Sequence, residues 1–324
     1  MNVKTRIKAL FNSDMYHGWT KKQKYFEGWY YKLVSQDEKS AIAIIPGVAM
    51  DERGNKHAFI QVLNGKELKA SYYQFPFEDF KASKDDFNTS IALNTFTSKH
   101  IKLDHDNISG DLYFTEMIPW PSSILSPGIM GPFSFFPFME CYHGIVSMDH
   151  LIQGELTIEG KHYDFTNGRG YIEKDWGHSF PTAYFWMQSN HFSEEGISVK
   201  ASVAKIPWMG TSFVGFIAGV WLKDRLIQFT TYNLSKLSKS FADEKNLDIT
   251  IENKNYKLTI KAERQSSTTL ASPIGGFMDG RINESMTDIM RVELLDKKQN
   301  KLILNDVGRN AGLEVAGVIE QIMK

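Results

Sequence analysis

The run Phe26-Glu27-Gly28-Trp29-Tyr30-Tyr31-Lys32-Leu33-Val34, with Ala41 to Val48 and His57 to Leu63 after it, decides the fold class. Successive side chains of an extended chain point to opposite faces. Glu27, Trp29 and Tyr31 therefore share one face, and Phe26, Gly28 and Tyr30 the other. The residues Asp51-Glu52-Arg53-Gly54-Asn55 supply a turn between the second and third runs. Gly28 inside a strand points to a bulge or a close backbone approach.

The same alternation recurs outward along the chain. Ser71 to Phe75, Thr89 to Leu93, Lys99 to Asp104, Ile108 to Phe114 and Glu155 to Ile158 read as strands. So do Tyr184 to Phe192, Ile197 to Ala204, Phe213 to Leu222, Leu226 to Tyr232, Leu247 to Ile251, Tyr256 to Ala262, Ile289 to Leu295 and Lys301 to Leu304. Helical patterning is confined to residues 3–11, 234–241 and Val315 to Met323. Many short strands with hairpin-length connections predict an all-β chain of antiparallel barrels or sandwiches rather than a doubly wound sheet. A Trp-bearing strand opens each half, at Glu27-Gly28-Trp29-Tyr30 and at Tyr184-Phe185-Trp186-Met187. The expected organisation is two similar β units, residues 1–150 and 151–324.

Composition narrows the function classes. Lys+Arg 37 against Asp+Glu 38 gives a formal charge of -1, without the basic excess of a nucleic-acid binder. One cysteine, Cys141, leaves no internal disulfide and no multi-cysteine metal site, and makes the reducing cytoplasm the simplest compartment. Residues 1–11 carry charge and no apolar signal-peptide core. The uncharged stretch between Glu116 and Glu140 holds Pro119, Pro121, Pro127, Pro132 and Pro137, which forbid a regular spanning helix. Aromatic residues reach 13%, a content suited to the walls of an apolar cavity.

No phosphate-binding glycine loop, nucleophile elbow or His-Glu-x-x-His motif is present. The nine histidines are scattered. His143, Asp149 and His150 form a conceivable metal set, but strand-like spacing does not put all three on one face. Hydrogen-bonded or solvated histidines are the simpler reading, and no metal is assigned.

The densest run of titratable groups is Arg169-Gly170-Tyr171-Ile172-Glu173-Lys174-Asp175-Trp176-Gly177-His178-Ser179-Phe180-Pro181. If extended, it places Tyr171, Glu173 and Asp175 on one face and Ile172, Lys174 and Trp176 on the other. In the strand that follows, Trp186, Gln188, Asn190 and Phe192 share a face. Inside a barrel this rail would orient a polar head group; the alternative is a polar network that satisfies buried backbone. Glu173 and Asp175 are either catalytic carboxyls or a solvated ion-pair cluster. Glu27 is either a proton donor with a raised pKa on an aromatic face or an ordinary partner of Lys or Arg.

At these residues the sequence resembles the tocopherol cyclase family. The likeness rests on Phe26-Glu27-Gly28-Trp29-Tyr30, on Glu173-Lys174-Asp175-Trp176-Gly177 with Phe180-Pro181, and on Trp186, Gln188 and Asn190. Where the plant and photosynthetic-bacterial enzymes carry Asn in the Glu-Lys-Asn-Trp-Gly motif, this chain has Asp175. The resemblance implies two lipocalin-like β-barrel units, kinship with carotenoid hydratases, and an isoprenoid substrate. It implies ring closure of a prenylated quinol to a chromanol, or a hydration, with no organic cofactor. An acid protonates the alkene, a phenolic oxygen attacks the tertiary cation, and a base takes the phenolic proton. On that basis Asp175 is the first candidate acid, followed by Glu173 and Glu27. His178 is a candidate base or orienting group. Trp29, Tyr30, Trp176 and Trp186 are candidate walls, and Gln188 and Asn190 candidate holders of the head-group oxygens.

A noncatalytic isoprenoid carrier is the alternative, because a lipocalin-type barrel holds an apolar ligand in either case. Residues 117–139 are read as an ordered lid or plug, or as a loop in peripheral contact with a membrane. The lid is preferred because no polybasic flank accompanies the stretch. Nothing in the sequence indicates a protein partner.

Overall fold

The computed structural model describes residues 3–324. The chain divides into two compact units. The first runs to Phe180 and includes Leu270–Arg281; the second comprises Pro181–Thr269 and Ile282–Lys324.

The first unit begins with helix α1 (Val3–Phe11) and is otherwise built on strands β1 (Tyr25–Val34), β2 (Ala41–Met50), β3 (Lys56–Asn64), β4 (Lys69–Pro76), β5 (Phe80–Ala82), β6 (Asn88–Ile91), β7 (Asn94–Thr97), β8 (His100–His105), β9 (Ile108–Thr115), β10 (Cys141–Ile158), β11 (Lys161–Asp164) and β12 (Gly168–Gly177). They pair in the order β4-β3-β2-β1-β12-β10-β9-β8-β7-β6-β5, with β11 on β10. The second unit uses β13 (Ala183–Ser189), β14 (Ile197–Trp208), β15 (Thr211–Leu222), β16 (Arg225–Thr230), β17 (Lys236–Ala242), β18 (Asn246–Glu252), β19 (Tyr256–Glu263), β20 (Thr268–Ile274), β21 (Phe277–Asp296) and β22 (Lys301–Gly317). Their order is β16-β15-β14-β13-β22-β21-β19-β18-β17, with β20 on β21.

The two sheets share one plan. Four strands meander in reverse order, the first of them pairs with the last strand of the sheet, and the rest descend from there. β1 and β13, the Trp-bearing strands that open the two halves, occupy the same place in this plan. The chain adopts the all-β, two-unit architecture expected from the alternation and the lipocalin-like plan that the family resemblance implies.

Side-chain parity decides each core. In β1, Trp29, Tyr31 and Leu33 point into the first core with Ile42, Ile44, Ile60, Phe96 and Leu112. In β13, Ala183, Phe185 and Met187 point into the second with Val199, Ala201, Val220, Ile249 and Leu313. The turn at 51–55 forms as read. Asp51 Oδ1 accepts the backbone N–H groups of Arg53 and Asn55, both at 2.8 Å, and Gly54 adopts a positive φ of 87°.

The expected boundary at 150/151 lies inside β10. The pairing explains the difference. β12 sits between β1 and β10, so the first sheet is complete only at Gly177. The segment 270–281 also packs on the first unit. Gln61 exchanges two hydrogen bonds with the Ala271 backbone, Gly276 O accepts from Met50 N at 2.9 Å, and the Gly275 N–H reaches Ser179 Oγ at 2.9 Å.

One expected helix is absent, and the expected last turn or two at the C-terminal end is a single turn. Residues 236–242 form β17, where a bulge between Leu237 and Lys239 stretches the burial spacing toward a helical period. Residues 315–317 end β22, and only Ile319–Gln321 make a single 3-10 turn. Among the described residues, no helix is long and apolar enough to cross a membrane.

Candidate active site

β1 and β12 run antiparallel, with Glu27 opposite Trp176, Trp29 opposite Lys174 and Tyr30 opposite Glu173. This register sorts the motif residues onto two faces of one sheet. Glu27, Trp29, Lys174 and Trp176 lie on the core face. Tyr30, Tyr171, Glu173 and Asp175 lie on the opposite face.

On the core face, Lys174 is fully buried and ion-paired with the fully buried Glu27. Lys174 also donates to Met15 O and to His17 Nδ1, the latter at 2.7 Å, and its ammonium sits 4.9 Å from the Trp29 ring and 4.6 Å from the Trp176 ring. Glu27 accepts the backbone N–H groups of His17 and Gly18 and the Tyr25 hydroxyl. Burial pushes the Glu27 carboxyl up, but Lys174 and the His17 contacts outweigh it and hold the group below the usual carboxylate range. Glu27 is therefore an ionised structural partner. The raised carboxyl expected of a proton donor is not found there. His17 completes the cluster: its Nε2 donates to Ala9 O at 3.0 Å, and its ring stacks on Trp176 at 4.3 Å. Burial, then Lys174, lowers its pKa and keeps it neutral. Trp29 donates to Asp14 O at 2.8 Å and stacks on Phe87 inside the core, away from the carboxylates at 173 and 175.

The opposite face carries a proton path. His143 in β10 is paired with Asp175. Its Nδ1 lies 2.8 Å from Asp175 Oδ1, and its Nε2 lies 3.5 Å from Glu173 Oε2. Tyr171 Oη donates to Glu173 Oε2. One imidazole thus exchanges a proton with Asp175 through Nδ1 and keeps Nε2 free of any hydrogen bond, with Glu173 nearby. The His143, Glu173 and Asp175 donor atoms lie within 4.8 Å of one another, near enough to share a cation. Nδ1 is hydrogen-bonded to Asp175, while Nε2 stands near Glu173 without a hydrogen bond. The other expected metal candidates do not join them. Asp149 is held by Arg169 in a two-point ion pair, and the His150 ring lies against Gly170.

At the strand ends the two faces border one pocket of about 510 Å³. Its walls include Trp176, Tyr142, Tyr25, Phe138, His143 and His178. Tyr142 stacks on Trp176 at 5.4 Å. Gly177 is required here: its φ is 153°, and a Cβ would lie 2.2 Å from Glu140 O, the acceptor for the His178 N–H. Partial burial, then Lys21 and Lys24, lowers the His178 pKa, so its imidazole is neutral and able to accept a proton.

The second unit places its candidates differently. Trp186 and Gln188 are buried on the face of β13 away from its apolar core, so they do not line a barrel interior; Asn190, also buried, lies beyond the end of the strand, and Phe192, expected on the same face, packs in the apolar core. Tyr184, on the face of Trp186, donates to Glu314 at 2.6 Å, and Asn190 Oδ1 lies 3.0 Å from His191 Nδ1. Sequence reading missed His17, Tyr142 and the proton-handling role of His143. The last two become visible by parity once β10 is known to be a strand.

A family model described as tocopherol cyclase-like matches residues 117–317. The protein described as "Probable tocopherol cyclase, chloroplastic" in Oryza sativa subsp. japonica is 26% identical over 193 residues, 56% of this chain and 41% of its own length. The chloroplastic tocopherol cyclase of Zea mays is 26% identical over 192 residues, 56% of this chain and 40% of its own. The match thus covers about two fifths of these curated relatives. Among solved structures, CghA with Sch210972 superposes with a TM-score of 0.58 at 8% identity, covering 90% of this chain and 88% of that one. An AttH-like protein from Nitrosomonas europaea gives 0.50 at 11% identity, covering 91% and 93%. Both likenesses concern the fold.

Proposed function

Because this chain belongs to the tocopherol cyclase-like family, we propose that it is an enzyme that cyclises or hydrates a prenylated quinol or related isoprenoid by proton transfer, with no organic cofactor. The observation that carries this reading is the His143 imidazole between Asp175 and Glu173 at the edge of an aromatic-walled pocket. The pocket volume is in the range of small-molecule sites.

Alkene protonation is the hard step, and it needs a donor in a site that excludes competing water. His143, which lines the pocket and is hydrogen-bonded to Asp175, delivers the proton to the alkene and leaves a tertiary cation. The Tyr142 ring, backed by Trp176 on which it stacks, stabilises that cation by about 1–2 kcal/mol when desolvated. The phenolic oxygen, or a water in the hydration, forms the new C–O bond, and neutral His178 takes the released proton. One proton enters and one leaves, so no redox change is needed. Glu27 and Lys174 hold the pocket wall and take no proton.

The test is turnover of a prenylated hydroquinone by wild type, Asp175→Asn and His143→Gln. Loss of general acid catalysis lowers kcat by roughly 100-fold or more in both variants. Wild-type rates in both, with folding intact, would remove the relay from the mechanism. Binding without turnover by the wild type favours the carrier.

A further inference from the structure

Between Glu116 and Glu140 the chain carries no charge, and much of it stands in water. A reciprocal backbone pair between Ser123 and Ser126 makes a tight tip, with Ile124 81% and Leu125 80% exposed. Farther along, Phe135, Phe136 and Phe138 are exposed as well. Ordered loops of water-soluble surfaces rarely present so many large apolar side chains together. Trp120, Ile129 and Met139 are buried, so the segment is anchored and its apolar tips are held outward.

The fold brings a basic flank that the local sequence lacks. Ser122 Oγ donates to Phe11 O at 3.3 Å, which ties the segment to the end of α1. The helix exposes Lys4, Arg6, Ile7 and Lys8, and residues 4–13 include no Asp or Glu. Arg6, Lys21 and Lys24 share the pocket lining with Pro127, Pro137 and Phe138. No Asp or Glu lines that pocket, and among these rim cations Lys24 is paired, to the exposed Glu52.

From this arrangement we propose that the edge formed by residues 122–138 and α1 docks on an anionic lipid bilayer. Ile124, Leu125 and the three phenylalanines enter the interfacial region while the cations meet lipid phosphates. The pocket then opens at the lipid surface, where an isoprenoid resides. The docking itself does not depend on which reaction the pocket carries out.

Flotation with phosphatidylcholine vesicles, with and without about a third phosphatidylglycerol, is the test. The full chain is expected to float with the anionic vesicles and to bind neutral ones at least tenfold more weakly. The Ile124→Asp/Leu125→Asp variant should lose at least tenfold, and Arg6→Glu/Lys8→Glu should lose the preference for anionic lipid. All four side chains are exposed, and an unchanged thermal midpoint confirms that the variants are folded. No wild-type flotation, or equal flotation of the Ile124→Asp/Leu125→Asp variant, overturns the proposal. So does a wild-type dimer that this variant converts to monomer, since the tips would then pack against a second copy of the chain.

Discussion

β1 and β13 hold equivalent places in their sheets, yet they distribute polarity in opposite ways. The first unit brings polar groups into its core: the charged pair Glu27 and Lys174 is fully buried beside Trp29, and the neutral His150 is buried against Phe114. The second keeps its core apolar through Phe185, Met187 and Val199, and turns Trp186, Gln188 and Lys200 to the other face. One topology therefore does not dictate one placement of chemistry. The parity of each strand does, and a shift of one residue moves a functional row from one face to the other.

The sharpest way to break this contrast is Lys174→Met. It leaves Glu27 charged, buried and unpaired, which costs about 3–5 kcal/mol. Urea unfolding reads this directly, and a loss under about 1 kcal/mol would mean that the pair is no structural element. Glu27→Gln combined with Lys174→Met should cost less than Lys174→Met alone, because the buried charge is gone while an acceptor oxygen remains for the His17 and Gly18 N–H groups.

A smaller effect comes from pH. Burial, then Arg169, lowers the His150 pKa from 6.5 to about 3. A depressed histidine stabilises the fold fully above its unfolded value of 6.5, and that contribution is lost as pH falls toward the folded value. The loss reaches about 2 kcal/mol by pH 5. The slope of stability between pH 6.5 and 5 should flatten in His150→Leu; an unchanged slope would assign the acid sensitivity elsewhere.

The smallest effect tests the second unit. Tyr184→Phe removes one hydrogen bond to Glu314, on the face away from the core, and should cost about 1 kcal/mol in the same urea assay. A loss as large as that of Lys174→Met would erase the distinction between the two units.

The strands with clean alternation were legible from sequence, β1, β2 and β3 above all. β10 was not, beyond its last few residues. Register shifts between Ile145 and Ser147 and between Ser147 and His150 break its period of two, and they hide the strand that carries Tyr142 and His143. β17 was read as helix for the same reason, since its bulge brings Leu237 and Ser240 to the same side three residues apart. For the candidate site, parity alone sorted Tyr171, Glu173 and Asp175 from Lys174 and Trp176. It could not show that Trp29 lies across the sheet from those carboxylates, because that depends on the register of β1 against β12. Nor could it pair Lys174 with Glu27, a partnership made only when the last strand of the sheet returns to the first.

The strip Leu270–Arg281 has a consequence for how the chain comes off the ribosome. Vectorial synthesis favours folding of the leading part first, but here the leading part lacks a piece that emerges only after most of the second unit has been made. The nascent first unit must wait with the strand that carries Gln61 incompletely covered. A fragment cut at Phe180 would keep that vacancy for good, so the two halves are poor candidates for separate expression.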